Sequence, residues 1–160
     1  MIVTSGGKMG KGKGTDSLIK AVEVLREENS NIRLVLFGKF EDDETKEMAE
    51  EKSFVTIYGW CDRIRTLEIL KLSDLACWPV HHTTLMEDAI SVETPIITRK
   101  TGTTSHLING NGLWIEHELL SAIREFVLHW LPQKNVLKLA CQKKREEISY
   151  STIAKRILCN

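Results

Sequence analysis

Short apolar runs alternate with amphipathic stretches along most of the chain. The runs are rich in β-branched residues and stop at glycine, proline or polar residues, which is typical of buried strands. The stretches between them place apolar residues on one helical face, as Leu18, Ile19, Val22 and Leu25 do. The pattern predicts strands at residues 1–5, 32–37, 54–58, 75–80, 95–98 and 113–115.

Helical patterns follow the predicted strands, so neighbouring strands are expected to run parallel with right-handed crossovers. This predicts an α/β fold: a doubly wound parallel sheet in three α/β/α layers. Pro132 interrupts the chain, so we expect a Rossmann-like domain at residues 1–131 and C-terminal helices packed on it at residues 132–160. Helices are predicted from Asp16, which caps the first, to about residue 29, then at 41–52, 65–72, 84–92, 119–130, 136–147 and 152–158, with a turn entering a short helix at 102–108.

The composition removes several classes of protein. Hydrophobic residues make up 42% of the chain, and 22 basic residues balance 22 acidic ones, so no net field favours nucleic acid. No apolar run is long enough to span a bilayer, and the start lacks the apolar core of a signal peptide, so a cytoplasmic protein is expected. The four cysteines form no CxxC pair, so no metal site is expected, and Cys77 is predicted to be buried.

A glycine- and lysine-rich segment, residues 6–14, follows the first predicted strand. Glycines let the backbone approach a ligand closely, and the next helix opens with unpaired amides. Lys8, Lys11 and Lys13 add positive charge at the end of the sheet where ligands bind in such folds. The segment matches neither a Walker loop nor GxGxxG. It predicts a phosphate or diphosphate site, and the alternative is a solvated loop.

Charged and imidazole side chains follow the fourth predicted strand. Glu87 and Asp88 are adjacent on a short predicted helix, so only one of them can face a given ligand. Asp88 is the candidate for binding ribose hydroxyls, and Glu87 is interpreted as part of a solvated acidic face. Because the adjacent His81 and His82 rarely converge on one metal ion, His82 is a candidate for a hydrogen bond to sugar or phosphate instead.

A third cluster follows the fifth predicted strand. Gly102, Thr103 and Thr104 offer amides and hydroxyls before a predicted helix N-terminus. Two such N-termini facing one crevice would bind an anion more strongly than one. Trp60 follows the third predicted strand and is a candidate to line the same crevice. Ordinary packing is the interpretation for Trp78, Trp114 and Trp130.

Short motifs occur in a fixed order along the chain, and the main ones are Gly7-Lys8, Lys13-Gly14, residues 34–38, residues 55–60, Ser73-Asp74, Asp88-Ala89-Ile90-Ser91, Thr94-Pro95-Ile96-Ile97, residues 102–108 and Ile148-Ser149-Tyr150. Together they resemble the C-terminal, nucleotide-sugar-binding domain of family 4 GT-B glycosyltransferases, the group 1 transferases. The resemblance covers essentially the whole chain. It implies that the sheet is the Rossmann-like half of a GT-B fold.

The resemblance also implies roles for individual residues. Lys8 and Lys13 stand at the two basic positions that meet the donor diphosphate, so they are the implied catalytic residues. Lys8 keeps the charge of the family's arginine but loses its bidentate fork. Asp88 stands at the second glutamate of a paired-glutamate motif that binds the ribose. The candidate donor-binding residues are Gly7, Lys8, Lys13, Gly38, Trp60, His82, Asp88, Gly102, Thr103 and Thr104.

The chain departs from the family pattern at three places. The first glutamate of the paired motif is missing, and His81 and His82 occupy a shortened interval instead. Glu93 replaces a usual glycine, and His106 replaces a usual glutamate.

The implied activity is transfer of a sugar from a UDP- or GDP-linked donor, with retention and without a metal or other cofactor. The resemblance further implies an N-terminal acceptor domain absent from this sequence, an isolated domain with little or no activity, and a full-length enzyme of polysaccharide biosynthesis at the cytoplasmic face of a membrane. The alternative is a non-catalytic nucleotide- or phosphate-binding module of the same fold. A response-regulator-like domain is disfavoured, since it needs acidic residues where Gly6-Gly7 and Gly59-Trp60 stand.

Overall fold

Within residues 1–158, which the computed structural model describes, six strands form one parallel sheet. They are β1 (Ile2–Met9), β2 (Arg33–Phe40), β3 (Val55–Tyr58), β4 (Leu75–Trp78), β5 (Ile96–Thr98) and β6 (Gly112–Trp114). Their order across the sheet is β3-β2-β1-β4-β5-β6, and each neighbouring pair runs parallel. The predicted doubly wound α/β fold is therefore confirmed. Its topological switch point, where the strand order reverses, lies between β1 and β4.

Helices connect the first five strands, turns connect β5 to β6, and further helices complete the C-terminal part of the described chain. They are α1 (Thr15–Glu28), α2 (Asp43–Glu50), α3 (Arg63–Leu72), α4 (Leu85–Ser91), α5 (Leu119–Glu125), α6 (Lys134–Ile148) and α7 (Tyr150–Leu158). The predicted helix at 119–130 is α-helical only through α5 and then continues as a π-helical turn, Phe126–Trp130. Pro132 lies in a 3-10 turn, Leu131–Gln133, that leads directly into α6. None of the described helices is long and apolar enough to cross a membrane.

The core consists of two layers, one on each face of the sheet. Successive strand residues point to opposite faces, so Ala76 packs in one layer and Cys77 in the other. The layer on the α1 and α5 face includes Leu18, Ile19, Val22, Leu34, Leu36, Ile97, Ile123 and Phe126. The layer on the α3 and α4 face includes Phe37, Ile69, Leu70, Trp78, Met86, Ala89, Ile90 and Ile96. This confirms the three-layer arrangement.

The C-terminal helix α6 packs onto this body. Leu137 and Cys141 of α6 are buried, and Leu137 belongs to the core layer on the α1 and α5 face. Burial raises the pKa of the Cys141 thiol to about 12, with a further contribution from Glu93. Burial raises the pKa of the Cys77 thiol as well. The last two residues of the predicted 132–160 segment lie outside the described residues.

Candidate active site at the switch point

The first strand runs through half of the predicted glycine-rich loop. β1 continues to Met9 and pairs with β2 as far as Phe40. Gly7 and Gly38 face each other with φ angles of 94° and 116°, a region that favours glycine. A Cβ at Gly38 would collide with the backbone of Gly7. The predicted strand end at residue 5 was therefore wrong, because this glycine pair lets both strands continue where a turn was expected.

Trp78 bridges β1 and β4 at their carboxyl ends. The two strands pair at Val3 with Leu75 and at Thr4 with Ala76. Trp78 ends β4, and its buried indole Nε1 donates a hydrogen bond of 3.0 Å to the carbonyl of Gly6. The indole therefore joins the two strands beyond their paired residues and forms a fixed surface between their carboxyl ends.

A cavity of about 200 Å³ opens at this place, and we call it the switch-point cavity. It is lined by Gly6, Lys8, Lys13, Trp78, His81, His82 and Thr83. Three residues that the sequence identified, Lys8, Lys13 and His82, are thus brought together. Lys8 also lies 3.5 Å from a carboxylate oxygen of Glu41, and its side chain is largely exposed. Among the described residues, the cavity carries two lysines and no carboxylate in its lining, and it lies where α/β folds bind ligands.

The turn that carries Lys13 is held from outside the cavity. A 3-10 turn, Lys11–Lys13, follows β1, and the amide of Lys11 donates to Asp42 Oδ2 at 3.0 Å. The Nζ of Lys11 lies 2.5 Å from Glu44, which raises the pKa of Lys11. Lys11 is therefore bound to α2, whereas Lys13 remains on the cavity wall.

Helix α1 begins without a side-chain cap. Gly14 is its N-cap with a φ of 73°, and Asp16 lies in the first turn, so the predicted capping by Asp16 was wrong. The hydroxyl of Thr15 instead accepts a hydrogen bond from the amide of Gly10 at 3.1 Å. A Cβ on Gly14 would approach Pro79 and Val80 to 2.9 Å, so glycine allows α1 to start against the loop after β4. The first turn of α1, with its unpaired amides, thus begins one residue after Lys13.

The two adjacent carboxylates on α4 face different partners. Oε1 of Glu87 lies 2.8 Å from Nε2 of His82, and Oε2 of Glu87 is buried. The interpretation of Glu87 as part of a solvated acidic face was therefore wrong. Asp88 accepts a hydrogen bond of 2.8 Å from Arg63 of α3, and this contact raises the pKa of Arg63. Only 13% of the Asp88 side chain is exposed.

The segment after β5 has no helix within residues 102–108, where the structure shows hydrogen-bonded turns. The hydroxyl of Thr104 accepts from the amide of Thr101 at 2.8 Å and donates to the carbonyl of Arg99 at 2.7 Å. Thr104 is buried, whereas Gly102 and Thr103 are exposed. The predicted second helix N-terminus was wrong, because these hydroxyls close the turn on its own backbone.

A family model described as "Glycosyl transferases group 1" matches residues 1–152. The chain belongs to the group 1 glycosyltransferases. This confirms the resemblance at the level of the family. No curated protein matches the chain in sequence.

Solved structures with a similar fold include other glycosyltransferases. TarM from S. aureus, in a structure with UDP, has a TM-score of 0.77 and 19% identity, covering 98% of this chain and 34% of that one. The pneumococcal O-GlcNAc transferase GtfA, with UDP and GlcNAc, has a TM-score of 0.80 and 14% identity over 97% and 34% of the two chains. HepE from Anabaena, with UDP and glucose, has a TM-score of 0.77 and 19% identity over 98% and 47%. At these identities the likeness shows the fold, and this group 1 glycosyltransferase chain spans less than half of each relative.

The remaining candidates are not among the residues that line the switch-point cavity of this glycosyltransferase chain. Trp60 is 81% exposed and follows β3, which is the edge strand two places from β1. Gly38 lies in β2, where it allows the close backbone approach to Gly7 described above. Gly6 lies in the segment 6–14 that was predicted to bind an anion, but the sequence reasoning missed three other lining residues, Trp78, His81 and Thr83. The signal for Trp78 was its place as the last residue of the strand beside β1.

A groove of similar volume, about 210 Å³, lies at the opposite, amino end of β4 and β5. Its lining includes Asp74 and Lys134, which are paired with each other at 2.7 Å. Two carboxylates, Asp74 and Glu93, line this groove together with its lysines, whereas no carboxylate of residues 1–158 lines the switch-point cavity, and ligands of α/β folds bind at the carboxyl ends of the strands. The switch-point cavity is therefore the better candidate site.

Proposed function

We propose that the chain is the donor-binding domain of a family 4-like glycosyltransferase that moves a sugar from a nucleoside diphosphate sugar to an acceptor with retention. The observation that carries this proposal is the switch-point cavity, which Lys8 and Lys13 line together, with Lys13 directly preceding Gly14, the N-cap of α1. Two ammonium groups and a helix N-terminus favour a ligand with two adjacent phosphates.

The lysines would act on the leaving group. When the bond between the sugar and the diphosphate breaks, its electron pair stays on the phosphate oxygen, and negative charge builds there. Positive groups fixed at that position stabilise this charge more in the transition state than in the ground state. Lys8 and Lys13 supply such charge, so the scheme requires no metal ion.

Asp88 is the proposed contact of the nucleotide ribose. Its Oδ2 receives the hydrogen bond from Arg63, so Oδ1 is the atom that would accept from a ribose hydroxyl. Arg63 would then hold the carboxylate in place. The acceptor would bind to a second, N-terminal domain of the full-length enzyme, which would act in the cytoplasm, against a membrane, in polysaccharide biosynthesis. We propose that the isolated domain transfers little or no sugar.

A second candidate is a nucleotide-binding module of the same fold that carries out no transfer. Two observations favour it: the family's first paired glutamate is missing, and the only carboxylate carried over from that pair, Asp88, is bound to Arg63. Sugar transfer by this domain joined to its acceptor domain, lost in Lys13→Ala, would exclude the second candidate. Nucleotide binding without any transfer would favour it.

Calorimetric titration with UDP, GDP and ADP tests the donor site. We expect saturable binding of one of them, weakened roughly tenfold or more by Lys13→Ala, because a hydrogen bond to a charged group contributes about 1.5–3 kcal/mol. Asp88→Ala should weaken the binding of the same nucleotide. The matched control is Lys20→Ala, which removes an exposed lysine of α1 and should leave the affinity unchanged. No binding at millimolar nucleotide, or equal effects of both lysine variants, would refute the proposed site.

A further inference from the structure

His82 and Glu87 form a pair on the wall of the switch-point cavity. The Nε2 of His82 lies 2.8 Å from Oε1 of Glu87, and the two side chains are 29% and 32% exposed. The other carboxylate oxygen, Oε2, is buried and has no hydrogen-bond partner among residues 1–158. One carboxylate oxygen of Glu87 is thus bonded to His82, and the other is enclosed by the protein.

This contact fixes which ring nitrogen a ligand can use. An ionised carboxylate only accepts hydrogen bonds, so the Nε2 of His82 must be protonated and donate the hydrogen bond to Glu87. Nδ1 is then the nitrogen left for a ligand. A carboxylate that holds one ring nitrogen sets both the tautomer and the orientation of the imidazole.

The charge of the ring depends on its surroundings. Glu87 holds one side of the ring, and the two lysines line the same cavity. A diphosphate bound against those lysines would bring negative charge beside the ring and draw a proton onto Nδ1. The charged and titratable groups around the ring are Glu87, Lys8, Lys13 and His81, with Glu41 paired to Lys8.

We propose that His82, held by Glu87, takes up a proton on Nδ1 when a nucleoside diphosphate sugar binds, and that it donates this hydrogen to a diphosphate oxygen. The proton comes from the buffer, and no covalent bond of the ligand changes in this step. The inference rests on the proposed function and gives the leaving group a third cationic donor. Glu87 acts through His82 and is a positioning residue.

Proton uptake on binding is directly measurable. UDP-glucose, GDP-mannose and ADP-glucose are titrated slightly above neutral pH in two buffers with different ionisation enthalpies, and the difference in heat gives the protons taken up. Both phosphates of these donors are diesters, without the second ionisation that a phosphate monoester has near pH 6. Uptake therefore comes from the protein. We expect a fraction of a proton for the native chain and none for His82→Gln, with the affinity lowered about tenfold.

Two further variants separate this role from a structural one. His81→Gln changes the neighbouring ring of the same wall and should keep the proton uptake. Glu87→Gln can still accept from Nε2 and should retain more affinity than Glu87→Ala, because the ring keeps its orientation.

Each outcome decides between the two proposals. Unchanged proton uptake in His82→Gln, or uptake lost in His81→Gln, would overturn the role of His82. Binding of a donor without any proton uptake would also overturn it, while leaving the donor site intact. If none of the three donors binds to the native chain, the proposed function fails and this inference fails with it.

Discussion

Two glycine-bearing segments lie at the same end of the sheet, and they are built in opposite ways. In the segment after β1, residues 10–14, a carboxylate from outside, Asp42, holds the backbone amide of Lys11, and Lys13 lines the switch-point cavity. In the segment after β5, residues 99–107, the hydroxyl of Thr104 holds the backbone from inside. A side chain that closes its own turn has no hydrogen-bonding capacity left for a ligand. The first segment keeps Lys13 available because its anchor comes from α2.

The glycines of the two regions differ in the same way. Gly7, Gly14 and Gly38 have positive φ angles or backbone neighbours that exclude a side chain. Gly102 has an ordinary φ and open space around the position of a Cβ. Glycine is therefore required at Gly7, Gly14 and Gly38 and is replaceable at Gly102.

The largest expected effect is that of Gly38→Ala. The new Cβ would meet the backbone of Gly7 in a conformation that disfavours side chains, so the free energy of unfolding should fall by about 3 kcal/mol or more. Urea unfolding measures this loss. The matched variant Gly102→Ala should stay within about 0.5 kcal/mol of the native chain. Similar losses in both variants would remove the distinction between the two regions.

Thr104→Val should cost about 1–2 kcal/mol, because it removes the hydrogen bonds to the amide of Thr101 and the carbonyl of Arg99 in a partly buried turn. Thr103→Val is the control, since Thr103 is exposed and contacts only the hydroxyl of Thr101 within the described chain. Its unfolding free energy should change by less than about 0.5 kcal/mol. A larger loss of unfolding free energy in Thr103→Val than in Thr104→Val would show that the hydroxyl of Thr104 does not hold this turn.

A smaller effect separates the two anchors by their pH dependence. Hydrogen bonds from Thr45, and then from the Lys11 amide, lower the pKa of Asp42 below its ordinary value of 3.8. A lowered pKa in the folded state means that the stabilisation is present above the ordinary pKa and is lost as the pH falls through the lowered one. The difference in thermal midpoint between the native chain and Asp42→Asn should therefore be full at neutral pH and should close below about pH 4.

The corresponding difference for Thr104→Val should not change over that pH range, since a threonine hydroxyl does not titrate there. A gap for Asp42→Asn that stays constant down to low pH would show that its carboxylate does not anchor the first segment.

The smallest expected effect is at Glu93, where a residue other than glycine has a positive φ angle. Glu93 has a φ of 69°, the conformation in which a side chain is strained, and it accepts a hydrogen bond of 2.9 Å from Gln142. Glu93→Gly and Glu93→Ala both lose that contact, so their difference isolates the backbone strain. Glu93→Gly should be more stable than Glu93→Ala by about 1 kcal/mol in urea unfolding. Equal stabilities would mean that the backbone relaxes at this position.

The sequence predicted the order of strands and helices, because continuous apolar runs and helical periodicity are local signals. It also identified Lys8, Lys13 and His82, because they lie at or after the carboxyl ends of the two strands that flank the switch point. Three features depended on contacts between distant segments. β1 continues through Gly7 only because Gly38 stands opposite. Glu87 is held by its hydrogen bond with His82. The hydroxyl of Thr104 bonds to the backbone of its own turn, where a helix was predicted. Periodicity within a short segment carries no information on such partners.

The hydrogen bond between Trp78 and Gly6 gives the molecule an internal reporter. The indole Nε1–H is buried and bonded across the junction of two half-sheets, β1 to β3 on one side and β4 to β6 on the other. Its hydrogen can exchange with deuterium from the solvent only when this junction opens. The exchange rate of one indole proton therefore measures how often the floor of the switch-point cavity separates, and a ligand that holds both half-sheets would slow it.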